Sequence, residues 1–110
     1  MSRFSDVLER LSATIESRKG ADPKSSYTAQ LLSDGIERAA KKLGEEAVEV
    51  VIAAVTKDQV GLVAESADLL YHFLVTLTAA GVSLDEVAQC LESREGQSGL
   101  EEKAWRSAPS

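Results

Sequence analysis

Residues 36–80, IERAAKKLGEEAVEVVIAAVTKDQVGLVAESADLLYHFLVTLTAA, decide how the rest of the chain is read. The stretch has no proline, is rich in Ala, Val, Leu and Glu, and breaks only at Thr56-Lys57-Asp58-Gln59. It predicts one long helix from Ile36 to about Thr56 and a second from Val60 to Ala80, with Asp58 as N-cap and Gly81 as C-cap. The unit is a helical hairpin. Within its first helix, Gly44 costs about 1 kcal/mol relative to Ala, which points to close packing or a ligand at that position. GEEAVEVV (44–51) also carries a conflict, because it sets Glu45, Glu46 and Glu49 among valines that read as core.

A second acidic stretch, ESADLLYH (65–72), resolves that conflict. Glu46 and Glu49 are spaced i,i+3, as are Glu65 and Asp68, so each pair shares a helix face with Cβ atoms about 5–6 Å apart. If the hairpin turns at Lys57, Glu49 and Glu65 each lie eight positions from it and Glu46 and Asp68 each lie eleven. The two pairs then sit level, roughly 12 and 16 Å from the turn. Four carboxylates gathered this way repel one another, and a hard divalent cation relieves the repulsion; Mg²⁺ takes oxygen ligands and leaves room for water and phosphate. Glu45, about 100° round the helix from Glu46, can ligate, act as a base or face water. Lys42 and Arg38 share a stripe with Glu46 and Glu49, either as surface ion-pair partners or beside a metal-held phosphate. A di-iron carboxylate bundle also gathers acids between helices, but it uses Glu-x-x-His repeats and this chain has none. Its one histidine, His72, lies on the acidic face, as a satisfied buried side chain or a contact to a carboxylate or substrate.

Outside the hairpin, Phe4, Val7, Leu8, Leu11 and Ile15 predict a helix over residues 4–18, with Ser2 or Ser5 as cap. KGADPKSS (19–26) is a loop by its Gly, Pro and Ser content, and YTAQLLSDG (27–35) suits a short helix started by Ser26. Ser83-Leu84-Asp85-Glu86 has capping-box form and opens a helix to about Arg94. Ser98-Gly99-Leu100-Glu101 repeats that form weakly. No segment alternates with period two, so the class is all-α. We expect one domain over residues 1–96 and a partly helical or flexible tail over 97–110, in which Trp105 docks or floats. Cys90 reads as core. The hairpin helices are apolar round much of their circumference and need cover on several sides. A homodimer whose paired hairpins form a four-helix-bundle-like core supplies that cover, as do the first and last helices in the alternative arrangement.

Composition narrows the function classes. The 110 residues carry 18 acids against 12 bases, a formal net charge of -6. Nucleic-acid binding, which needs clustered Lys and Arg, is therefore not expected. A phosphorylated small molecule is compatible if a metal brings positive charge. The N-terminus shows no apolar signal region, no apolar run suggests a membrane span, and a single cysteine fits a reducing compartment, so a soluble cytoplasmic protein is expected.

The acidic hairpin, Glu-x-x-Glu followed by Glu-x-x-Asp, resembles the all-α nucleotide pyrophosphohydrolase (MazG-like) superfamily. SYTAQLLSDG, KKLGEEAVEVVIAA, ESADLLYHFLVTL and GVSLDEVAQCLESR, in that order, resemble the phosphoribosyl-ATP pyrophosphatase family of histidine biosynthesis over about residues 4–106. The resemblance implies Mg²⁺-dependent hydrolysis of phosphoribosyl-ATP to phosphoribosyl-AMP and pyrophosphate by a cytoplasmic dimer. It also implies the free-standing form rather than the one fused to the cyclohydrolase of the next step. By analogy Glu46, Glu49, Glu65 and Asp68 are metal ligands, Glu45 is a candidate base, and Lys42 a candidate phosphate contact. Tyr27 and Thr28, in the SYT stretch, either touch substrate or simply start a helix with a packed ring. Two rivals remain: a house-cleaning nucleoside triphosphate pyrophosphatase with the same metals, and a non-catalytic helical dimerisation module.

Overall fold

The computed structural model describes residues 2–96, and the weak capping sequence at Ser98, Trp105 and the 97–110 tail lie outside them. The described residues are all-α: α1 (Arg3–Ser17), α2 (Tyr27–Asp34), α3 (Ile36–Val55), α4 (Gln59–Ala80) and α5 (Leu84–Ser93). A side-chain cap accounts for every start but that of α3, which follows Gly35 without one. Ser2 accepts from the Ser5 amide at 3.1 Å, Ser26 from Ala29 at 3.2 Å and Asp58 from Gly61 at 2.9 Å. Ser83 and Glu86 complete a reciprocal capping box, with the Glu86 amide 3.1 Å from Ser83 Oγ and the Ser83 amide 2.7 Å from Glu86 Oε2. These caps satisfy amides that have no partner within the helix. A Cβ on Gly61 would collide with the Asp58 carboxylate, so glycine there lets the cap close.

The hairpin turn falls where the symmetry of the acids puts it. Lys57 is left-handed (φ 59°), and the amides of Lys57 and Asp58 bond back to the carbonyls of Ala54 and Ala53 at 3.2 and 3.0 Å. That double bond is a Schellman stop, here built on a lysine instead of the usual glycine. Gly81 (φ 74°) ends α4 the same way, through Val82 to Leu77 at 2.9 Å.

α3 and α4 pack against each other, while α1 and α2 pack on α4 and α2 also on α3. Ile15, Leu31, Ala39, Leu74 and Val75 form the buried cluster, with Leu8, Leu11, Tyr71, Phe73 and Leu84 partly buried against it. The core therefore sits at the end of the hairpin remote from Lys57. The half near the turn is bare: Val48, Val51, Ile52 and Val55 on α3 and Val60 and Val63 on α4 are all exposed, from 48% for Ile52 to 83% for Val60. The outer helices do not supply the cover that the hairpin's composition demands. The radius of gyration, 16.2 Å, exceeds the roughly 13 Å of a compact domain of this size.

Several expectations need correction. Cys90 is exposed, not core. It lies about 100° round α5 from Leu91, off the stripe of Leu84, Val87 and Leu91 that faces the molecule. Gly44 has no atom within 4 Å of where a Cβ would stand, so no close packing within the chain requires it. By length and composition, α4 is also apolar enough to cross a membrane, with a mean hydropathy of 1.4 over its best window. A core helix passes the same test, and α4 carries Glu65 and Asp68, whose type costs about 2.5–3.5 kcal/mol at a bilayer centre. Within the chain α4 is buried at His72, Leu74, Val75 and Thr78, which leaves most of its apolar window uncovered.

Candidate active site: an acidic patch beside an aromatic cluster

Glu46 of α3 and Glu65 and Asp68 of α4 come together. Each offers a carboxylate oxygen, and the three atoms lie within 4.8 Å of one another. Glu46 and Glu65 are half-buried and Asp68 is exposed. The Glu65 carboxyl is pushed above the ordinary carboxylate range, first by lost hydration, then by a hydrogen bond shared with Glu46 and by the charges of Glu46, Asp68 and Glu49. Glu46, Glu49 and Asp68, the other acids named from spacing, therefore all act on Glu65. Glu49, exposed, stands outside the tight trio and contributes through its charge on Glu65. The contact between Glu46 and Glu65 crosses the expected rungs diagonally, because a glutamate side chain spans the three-residue offset of about 4.5 Å.

The donor set fits a divalent cation. Every donor is a carboxylate oxygen, the type that Mg²⁺ and Ca²⁺ select. No ion pair involves any of the four acids among the described residues; Lys19–Glu16 at 3.4 Å and Arg38–Asp34 at 3.2 Å lie elsewhere. The repulsion that raises Glu65 is thus uncompensated by the chain itself. Lys42, half-buried, makes no salt bridge with Glu46, and exposed Arg38 turns to Asp34 at the end of α2. Glu45 is exposed beside Glu46.

Against Asp68 lies an aromatic cluster. His72 is buried, and its Nδ1–H donates to the Asp68 carbonyl at 2.8 Å, since a carbonyl can only accept. Its Nε2 is buried without a partner, so the satisfied histidine expected from sequence is satisfied at one nitrogen only. The Tyr71 ring stands edge-on to His72, with centroids 4.9 Å apart at 87°. Tyr27 is nearly parallel to Tyr71, at 6.5 Å and 20°. The Thr28 hydroxyl and the Tyr71 phenol share a short hydrogen bond. Sequence reasoning singled out Tyr27, Thr28 and His72 and missed Tyr71. Its place three residues after Asp68, on the same helix face, was the available signal.

Comparison with known proteins settles the kinship. The family model described as "Phosphoribosyl-ATP pyrophosphohydrolase" matches residues 8–95. The chain belongs to that family. It is 65% identical over 104 residues to a phosphoribosyl-ATP pyrophosphatase of Caulobacter vibrioides, covering 94% of this chain and 96% of that protein. It is 60% identical over 100 residues to the enzyme of that name from Cereibacter sphaeroides, covering 91% and 97%. A third relative, from Ruegeria pomeroyi, is 58% identical over 100 residues, covering 91% and 95%. The family match spans both acidic pairs and the aromatic cluster.

Proposed function

We propose that this chain hydrolyses phosphoribosyl-ATP to phosphoribosyl-AMP and pyrophosphate, the second step of L-histidine biosynthesis, with Mg²⁺ held by Glu46, Glu49, Glu65 and Asp68. The observation that carries the reading is the convergence of Glu46, Glu65 and Asp68 within 4.8 Å, in a chain of the phosphoribosyl-ATP pyrophosphohydrolase family. When bound, the ion supplies charge neutralisation on the triphosphate and a lowered pKa for water. The chain's own groups position and exchange charge. Glu45, exposed beside Glu46, is the candidate base that accepts a proton from the attacking water. Lys42, one turn before Glu46, contacts a phosphate oxygen, and Arg38 contributes more distantly on release from Asp34. Tyr27 and His72 hold the substrate beyond Asp68, and Thr28 contributes there through its hydrogen bond with Tyr71.

The same reading places the catalytic unit in residues 1–96 and the working form in a cytoplasmic homodimer. Exposed valines at the hairpin tip support the dimer, because paired tips would bury them in a four-helix core. The net charge of -6 supports a small-molecule substrate over nucleic acid. A house-cleaning triphosphate pyrophosphatase would use the same acids, so the base must discriminate. Purified protein assayed with phosphoribosyl-ATP beside a panel of deoxynucleoside triphosphates, each with Mg²⁺, decides the matter. Turnover of phosphoribosyl-ATP, abolished in Glu49→Gln, is expected. Rapid turnover of a deoxynucleotide with none of phosphoribosyl-ATP would overturn the assignment, and Mg²⁺ binding unchanged in Glu49→Gln would remove Glu49 from the ligands.

A further inference from the structure

The acidic patch explains where a triphosphate would go and leaves the rest of a nucleotide without a seat. Continuing along α4 from Asp68, the next residue on that face is Tyr71, about 4.5 Å further up the axis. Its ring is held on two sides, by the hydrogen bond shared with Thr28 across 43 residues of sequence and by the buried His72 ring at 4.9 Å. His72 is itself fixed to the backbone carbonyl of Asp68. A contiguous chain of contacts thus runs from an acidic ligand to Tyr71 and on to Tyr27. Tyr27, the first residue of α2, keeps 49% of its surface open while lying nearly parallel to Tyr71. A half-open ring anchored to a locked one is a surface for a flat, uncharged partner. Tyr27 and Tyr71 offer ring faces rather than cationic donors, so they suit the base of a nucleotide and not its phosphates.

We propose that Tyr27 and Tyr71 form the wall on which the purine base stacks while the triphosphate lies at the acidic patch, with Thr28 as the positioning residue that orients Tyr71. The proposal rests on the patch being the triphosphate site. Aromatic stacking supplies affinity without demanding one base edge, since every base has a π-face. Tyr27 therefore sets how tightly the nucleoside end is held. Thr28 acts through Tyr71 and touches no substrate.

Calorimetric titration with two probes separates the parts. With Mg²⁺ present, ATP carries both base and triphosphate, whereas inorganic tripolyphosphate carries only the latter. Tyr27→Ala should weaken ATP binding roughly 5- to 150-fold, the range of base stacking on an aromatic ring, and leave tripolyphosphate within about twofold. Tyr27→Phe, which keeps the ring, should retain both. Thr28→Val should raise KM for phosphoribosyl-ATP with kcat little changed, and again spare tripolyphosphate. ATP affinity unchanged in Tyr27→Ala, or an equal loss for both probes, would overturn the wall. Failure of the unaltered protein to bind tripolyphosphate with Mg²⁺ would instead overturn the reading of the patch, and the wall with it.

Discussion

Truncating Val51 and Val55 together to alanine tests whether the bare hairpin tip is a subunit interface. The two side chains are 59% and 72% exposed in the single chain. Each truncation removes two methyl-sized groups worth about 0.8 kcal/mol apiece when buried. Scaled by the exposed fraction, each valine forfeits about 1 kcal/mol of burial on association. A twofold dimer carries every substitution twice, so the double variant loses about 4 kcal/mol, close to a thousandfold in dimer Kd. Sedimentation velocity over a concentration series reads the effect directly, with far-ultraviolet circular dichroism to confirm that the helices persist. Leu91→Ala is the control: it removes a comparably exposed apolar side chain, 63% open, from the groove between α1 and α5. The double variant should dissociate at concentrations where the control and the unaltered protein remain dimeric. A monomeric unaltered protein at tens of micromolar, or a double variant that dissociates no more readily than the control, would refute the reasoning.

Glu65→Gln separates stability from function. The carboxyl of Glu65 is raised by lost hydration and by its acidic neighbours, so in metal-free protein its contribution to stability is present below the ordinary carboxylate pKa and lost as pH rises through the raised one. Differential scanning calorimetry should show the metal-free variant melting above the unaltered protein at pH 7 but not at pH 4, while hydrolysis and Mg²⁺ binding are lost. Lys57→Gly should stabilise by about 0.5–1 kcal/mol in urea unfolding, because glycine adopts the left-handed conformation of that turn without a Cβ clash. Ser83→Ala should cost about 1 kcal/mol by removing a helix cap. The Glu86 carboxyl is held below its ordinary range by hydrogen bonds from Ser83, first from the backbone and then from the side chain. Its contribution is therefore present above the unfolded carboxylate pKa and lost as pH falls through the lower folded value, so thermal melts of Glu86→Gln and the unaltered protein should converge in acid.

Much of this molecule obeys short-range rules, and those parts were legible. Ser26, Asp58 and Ser83 cap their helices because a side-chain oxygen one turn from a free amide needs no tertiary partner. The reversal at 56–59 was readable from Thr56-Lys57-Asp58-Gln59 and its capping Asp58, and the all-α class from the lack of alternation. Cys90 and the close packing expected at Gly44 were misread because apolar neighbours in sequence say little about which side of a helix meets another element. Tyr71 went unremarked because its partner Thr28 lies 43 residues away.

By itself, the order of residues determined the helices, their caps and the sharing of one helix face by Glu46 with Glu49 and by Glu65 with Asp68. Only the folded chain decided that Glu46 meets Glu65 and Asp68 across the hairpin, that Tyr27 reaches Tyr71, and that the valines near the turn stay uncovered. Caps and i,i+3 spacing act within one turn of helix, whereas these pairings depend on how each helix is rotated and crossed against its neighbours. That rotation is set by packing Ile15, Leu31, Ala39, Leu74 and Val75 at one end of the hairpin, from four different helices at once.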